Sequence, residues 1–79
     1  SDVYKRQEQK DLWNVLKLMG PALLRKKSES VVLLAGGFGA VRGGKKSARR
    51  VELVRGEPSE LLLWAFGREE QADVEITQE

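Results

Sequence analysis

A chain of 79 residues with neither cysteine nor histidine makes one small domain, near the size at which folding hides only about 60% of the unfolded surface. It can form no disulfide and lacks the commonest metal ligand and the commonest general acid or base, so carboxylates, Lys, Arg, Ser and a single Tyr are left to carry chemistry. The net charge is +2, no apolar run approaches the roughly 18 residues of a membrane span, and no signal-peptide pattern opens the chain, which sets the expectation of a cytoplasmic domain without membrane contact.

That small net charge hides an asymmetry. Nine basic residues (Arg25, Lys26, Lys27, Arg42, Lys45, Lys46, Arg49, Arg50 and Arg55) stand against Glu29 and Glu52 in the middle of the chain, whereas from Gly56 onward Arg68 alone faces seven acids. The first seven residues, Ser-Asp-Val-Tyr-Lys-Arg-Gln, contain no start methionine and resemble translated adapter sequence at the ends of metagenomic reads. Residues 1–7 are therefore set aside as a non-native leader, and 8–79 are read as a single α+β domain.

From Glu8 to Lys27 the apolar residues Leu12, Val15, Leu16, Met19, Leu23 and Leu24 recur at intervals of three and four, with Trp13 and Leu18 widening the face. This spacing predicts an amphipathic helix. Gly20-Pro21 predicts a kink or break within it, because proline lacks a backbone donor and restricts the residue before it. Val31-Val32-Leu33-Leu34 predicts a strand, followed by a glycine-rich turn and a second apolar touch at Ala40 and Val41, as in a hairpin. After Gly43-Gly44-Lys45-Lys46-Ser47, read as a flexible link, Arg49 to Arg55 alternates with Val51, Leu53 and less cleanly Val54 inward and Arg50, Glu52 and Arg55 outward, as in a half-buried strand.

Gly56 to Arg68 then reads as a short helix with both ends marked. Pro58 suits the first helical position, Glu57 and Glu60 suit the positive end of the helix dipole, and Gly67 supplies a left-handed stop. Between these marks Leu61 to Phe66 are all apolar. A surface helix carries one apolar stripe, so a helix apolar nearly all round is expected to be covered on more than one side. Leu63, Trp64 and Phe66 are the expected surplus face, a contact for another domain or an apolar ligand. Ala72 to Thr77 alternates again, with Val74 and Ile76 inward. The order α-β-β-β-α-β predicts an α+β fold, a small, mostly antiparallel sheet of three to four strands packed by two helices.

Four patterns resemble functional motifs. Val31 to Ala40 resembles the strand and glycine turn of a dinucleotide site, but Arg42 stands where the third glycine belongs and no amphipathic helix follows. Gly39 to Lys46 nearly matches a P-loop, but Lys46 stands where Ser or Thr must hold magnesium, with Ser47 one place late. The basic run from Arg42 to Arg50 has no interleaved aromatic other than Phe38 and no recognition helix, which argues against nucleic acid. Glu69, Glu70, Asp73 and Glu75 read as a solvated edge, with Asp73 and Glu75 on one strand face. Catalytic, cofactor-binding and metal-ligating residues are accordingly expected to be none in this chain.

The stretch from Val54 to Arg68, Val-Arg-Gly-Glu-Pro-Ser-Glu-Leu-Leu-Leu-Trp-Ala-Phe-Gly-Arg, followed by Ala72-Asp73-Val74-Glu75, resembles the C-terminal domain of the mycothiol-dependent maleylpyruvate isomerase family and its actinobacterial metal-binding relatives, a sterol-carrier-protein-2-like module. The family pattern is a strand, Gly-Asp/Glu-Pro-Ala/Ser-Glu-Leu, an apolar helix closing on Phe/Thr-Gly-Arg, and a strand reading x-Val-Glu. The helix from Asp11-Leu12-Trp13 to Leu23-Leu24-Arg25-Lys26 is similar to the one that leads into this domain. The resemblance implies a two-domain parent whose N-terminal DinB-like bundle carries three metal-binding histidines, a divalent metal and the mycothiol-dependent chemistry. This chain would be the accessory C-terminal part, non-catalytic alone, packing on that bundle and shaping its cleft. A sterol-carrier-like pocket for an apolar ligand is the alternative that the same resemblance implies, and a basic nucleic-acid module is a third.

Overall fold

The computed structural model describes residues 2–45 and 49–78. Helix α1 (Asp2–Leu23) ends in a single 3-10 turn (Leu24–Lys26), and strands β1 (Ser30–Ala35), β2 (Gly39–Gly44) and β3 (Val51–Arg55), helix α2 (Pro58–Ala65) and strand β4 (Glu75–Gln78) follow. This is the expected α+β order.

The sheet is mixed rather than mostly antiparallel. Its strand order is β2-β1-β3-β4, and the central pair β1–β3 is parallel, with Leu33 opposite Val54. The outer pairs, β1–β2 and β3–β4, are antiparallel. Both ends of the connection from β2 to β3 are tied to the start of β1: Lys45 N–H donates to Glu29 O (3.1 Å), and Ser30 N–H donates to Arg50 O (3.3 Å). The chain therefore enters β3 on the far side of β1 and in the same direction. Alternation within a strand says which residues share a face, but not which strand lies alongside.

Gly43 and Gly44 belong to this strand ladder and not to a flexible link. A Cβ on Gly43 would lie 2.7 Å from Leu24 Cδ1, and one on Gly44 (φ 82°) would lie 2.2 Å from Glu29 O. The absence of side chains is what lets β2 close against the turn after α1 and against the start of β1.

Helix α1 does not break at Gly20-Pro21. Proline disfavours helical geometry before it partly by clashing with the preceding Cβ, and Gly20 has none. The carbonyl that loses its donor is that of Lys17, whose residue is exposed. Gly20 also lets the helix approach β2, since a Cβ there would lie 3.0 Å from Val41 Cγ1.

Both helices cover one face of the sheet. Trp13, Leu16 and Leu24 from the first helical segment, Leu61, Trp64 and Ala65 from α2, and Val31, Leu33, Ala35, Val41 and Val54 from the strands form one buried cluster. Register then places Val32 and Leu34 of β1 and Val51 and Leu53 of β3 on the opposite face, where all four are partly exposed. The expected sides of Val51, Leu53 and Glu52 are thus reversed, while Val54 faces inward and Arg55 outward as expected. Val54 and Glu52 point toward the helices, and Val51 and Leu53 point away. At the edge, regular pairing begins only at Glu75, leaving Asp73 outside the strand, and Ile76 is 48% exposed while Val74 packs against the core.

Candidate interaction surface

Helix α2 is held at both ends. At its start Glu57 is extended (φ −73°, ψ 153°) and makes no side-chain cap, and Pro58 follows at the first turn. The cap comes instead from α1. Gln9 Oε1 accepts from Ser59 N–H (3.0 Å), while its Nε2 donates to Ser59 Oγ (3.1 Å) and Glu57 Oε2 (3.3 Å). An exposed backbone donor at the helix start is thereby satisfied from a distant part of the chain. At the other end Gly67 (φ 96°) donates its N–H to Trp64 O and Arg68 donates to Leu63 O, both at 3.1 Å. This is the paired closure of a Schellman motif, with glycine in the left-handed position that the sequence marks.

The six apolar residues of this helix have different environments. Leu61 and Trp64 are fully buried and Ala65 nearly so, Leu62 and Leu63 are half-buried, and Phe66 is 55% exposed. Leu63, Trp64 and Phe66 are therefore not one surplus face. Trp64 turns into the core of this chain, and Phe66 turns outward.

Gln9 meets Ser59, and Lys27 meets the end of α2, so the two helices run side by side in the same direction. Ser59, Leu62 and Phe66, spaced by three and four, lie on the side of α2 that meets α1. On α1, Leu12, Val15 and Met19 form the corresponding row. Val15 and Met19 are each 40% exposed, and Leu18 beside them is 84% exposed. The outer seam of the helix layer is thus an apolar ridge, part of it made from α1 residues that the sequence assigns to the core. The core side of α1 is narrower, consisting of Trp13, Leu16 and Gly20.

A polar notch lies at the other flank of α2. It is a cavity of about 340 Å³ lined by Lys27, Glu29, Glu52, Trp64, Glu69 and Ile76, among others. The Lys27 ammonium sits 4.4 Å from the centre of the Trp64 ring and pairs with Glu69. Burial on the helix-covered face pushes the Glu52 carboxyl above its ordinary value, and the neighbouring Glu29 carboxyl adds to this by hydrogen bond and charge; Gln78 and Lys27 act in the opposite direction. The notch holds an ion pair whose cation is the chain's own. Gln9, which ties α1 to α2, and Lys27, which ties the segment after α1 to Trp64 and Glu69, carry no periodic signal in the sequence, because each is a polar residue like many others.

The remaining sequence patterns stay apart. Gly39 to Gly44 is strand β2, so no helix follows the glycine turn to receive a phosphate; Lys46 and Ser47 of the near P-loop lie outside the described residues. Asp73 donates its N–H to Glu60 Oε1 (2.9 Å) and lies before β4. Among the described residues no group of three or more acids gathers as a metal site, and no helix is long and apolar enough to cross a membrane. Comparison with protein-family models, curated proteins and solved structures gives no match to this chain.

Proposed function

We propose that this chain is an accessory module, not catalytic by itself, that docks through the outer seam of its helix layer onto a helical domain. The observation that carries this reading is the exposure of Phe66 beside the row Leu12, Val15 and Met19. These side chains form an apolar ridge on two parallel helices, the shape into which a third helix packs by ridges and grooves. The resemblance of Val54 to Arg68 to the C-terminal domain of the maleylpyruvate isomerase family supports a definite occupant, the N-terminal DinB-like bundle of a two-domain parent. That bundle would hold the divalent metal and use mycothiol, and this module would form one wall of its cleft. A cysteine-free chain suits the reducing cytoplasm in which such a parent would work.

The coding sequence upstream of Glu8 tests the reading directly. It is expected to encode a helical bundle with spaced histidines, and in the complete protein Met19 and Phe66 become protected from labelling. A native start codon immediately before Glu8 would overturn it. For a sterol-carrier-like pocket the geometry supplies less support. The space between α2 and the sheet is filled by Leu33, Val54, Leu61 and Trp64, and the cavity beside Trp64 is ringed by charges.

A further inference from the structure

The flank of α1 opposite the apolar ridge borders a larger groove of about 760 Å³, closed on its other side by the turn between β1 and β2. Arg6, Lys10, Trp13 and Lys17 all line it. Their spacing of four, three and four places them within about 60° of one another on a helix that turns about 100° per residue. Glu8 and Asp11, the acids of the same segment, fall outside that sector. The groove is therefore cationic by arrangement and not by the small net charge of the chain. Lys10 and Lys17, which lie beyond residues 1–7, suffice for this statement, and Arg6 extends the row by one turn.

The other lining groups fit an extended anion with flat rings. Trp13 is buried and seals the floor, its ring centre 6.3 Å from that of Phe38 at 45°. Phe38 is half-buried and lines the groove. Opposite α1 the wall is Gly36-Gly37, where a Cβ would meet nothing within 4 Å, so a ligand can approach the backbone closely. Glu57, the acid that lines the groove, accepts a hydrogen bond from Gln9. Among the described residues neither Lys10 nor Lys17 makes an ion pair.

We infer that this groove binds single-stranded nucleic acid, with the α1 cations on successive phosphates and Phe38 stacking on an unpaired base. Lys10 and Lys17 stand about 10 Å apart along the helix axis. That separation suits a run of phosphates better than one phosphate. A cationic track beside an aromatic platform is the recurring arrangement for single strands, whereas a base inside a duplex cannot stack on a side chain. The aromatic that the run from Arg42 to Arg50 lacks is thus supplied to a different set of cations, which only the packing of α1 on the hairpin brings together. The proposal is independent of the docking ridge, which occupies the other flank of the helix.

Fluorescence anisotropy of labelled oligothymidylate and oligouridylate with the full chain tests it. Binding is expected to weaken between about 50 and about 200 mM salt, with a log–log slope of about −1.4 to −2, the value for two or three phosphate contacts. The double variant Lys10→Ala/Lys17→Ala should weaken binding about tenfold at low salt and flatten the slope by about 1.4. Phe38→Leu, which keeps an apolar contact for Trp13, should weaken it at least about fivefold without changing the slope. Arg42→Ala/Arg55→Ala, on the opposite face of the sheet, should leave affinity within about twofold. Circular dichroism of each variant confirms folding. Absent or salt-insensitive binding overturns the inference. So does an equal loss in the Arg42/Arg55 variant, equal affinity for duplex DNA, or equal competition by free mononucleotide.

Discussion

Ser30 is 1% exposed, and its hydroxyl has no hydrogen-bond partner among the described residues, although its N–H is bonded to Arg50 O. A buried hydroxyl without a partner opposes folding, and alanine removes it with little loss of volume. Ser30→Ala is therefore expected to be neutral or stabilising by up to about 1 kcal/mol in urea unfolding; a loss of stability would show that the hydroxyl is bonded. Glu52 carries the opposite kind of burden, a charge on the covered face. Its folded value is raised from 4.5, so the folded chain holds this proton more tightly than the unfolded one. Stability from this group is complete below about pH 4.5 and is lost as pH rises through the raised folded value. Glu52→Gln keeps the hydrogen-bonding shape and removes the titration. Its melting temperature should exceed that of the unaltered chain at pH 7, with no excess below about pH 4.5. An advantage independent of pH would place the cause in packing instead of charge. The sequence shows Ser30 and Glu52 as ordinary strand-flanking polar residues; register puts Glu52, opposite Val31, on the covered face, whereas Ser30, opposite Val51, is buried although it lies on the other face.

At the scale of the element, α2 is largely legible from its own residues. Pro58 and Gly67 mark its start and stop, and Gly67 takes the left-handed angle that its position requires. The side that its apolar residues face is not legible, since a helix apolar all round has no stripe to read. Trp64 enters the core and Phe66 does not, because α1 lies on one flank and the sheet beneath. The N-terminal cap is hidden as well, being supplied by Gln9 from 50 residues away in the chain. Gln9→Ala leaves Ser59 N–H without this partner and should destabilise the domain by about 1 kcal/mol, with amide exchange quickened at Ser59 in particular. Unchanged exchange there would mean that solvent caps the helix equally well. Gly20-Pro21 shows the converse. A signal that ordinarily ends a helix is overridden where the residue before proline lacks a Cβ and the helix packs closely on β2.

For the molecule as a whole, the sheet has one covered and one open face, and the register predicts very different consequences for neighbouring residues of β3. Val54→Ala, in the core, should cost about 2 kcal/mol. Leu53→Ala, on the open face, should cost about 1 kcal/mol or less despite the larger side chain removed. Equal losses in chemical unfolding would mean that the strand is turned over or that its open face is covered. The arrangement also separates the two proposed surfaces, the apolar ridge and the cationic groove, on opposite flanks of α1.

The amino-acid sequence by itself determined the elements and their order, the end signals of α2 and the hairpin turn, because each rests on local backbone preferences and on periodicity within one segment. It did not determine which strand lies beside β1, which side of β3 faces inward, or how far α1 continues past proline. Those were decided by the tertiary structure, through contacts between segments far apart in the chain. Absent Cβ atoms at Gly20, Gly43 and Gly44 allow close approach, and both ends of the 45–50 connection are bonded to the start of β1. The groove follows the same logic. Lys10, Lys17 and Phe38 are unremarkable where they stand in the sequence, and become a site only when a helix packs along a hairpin.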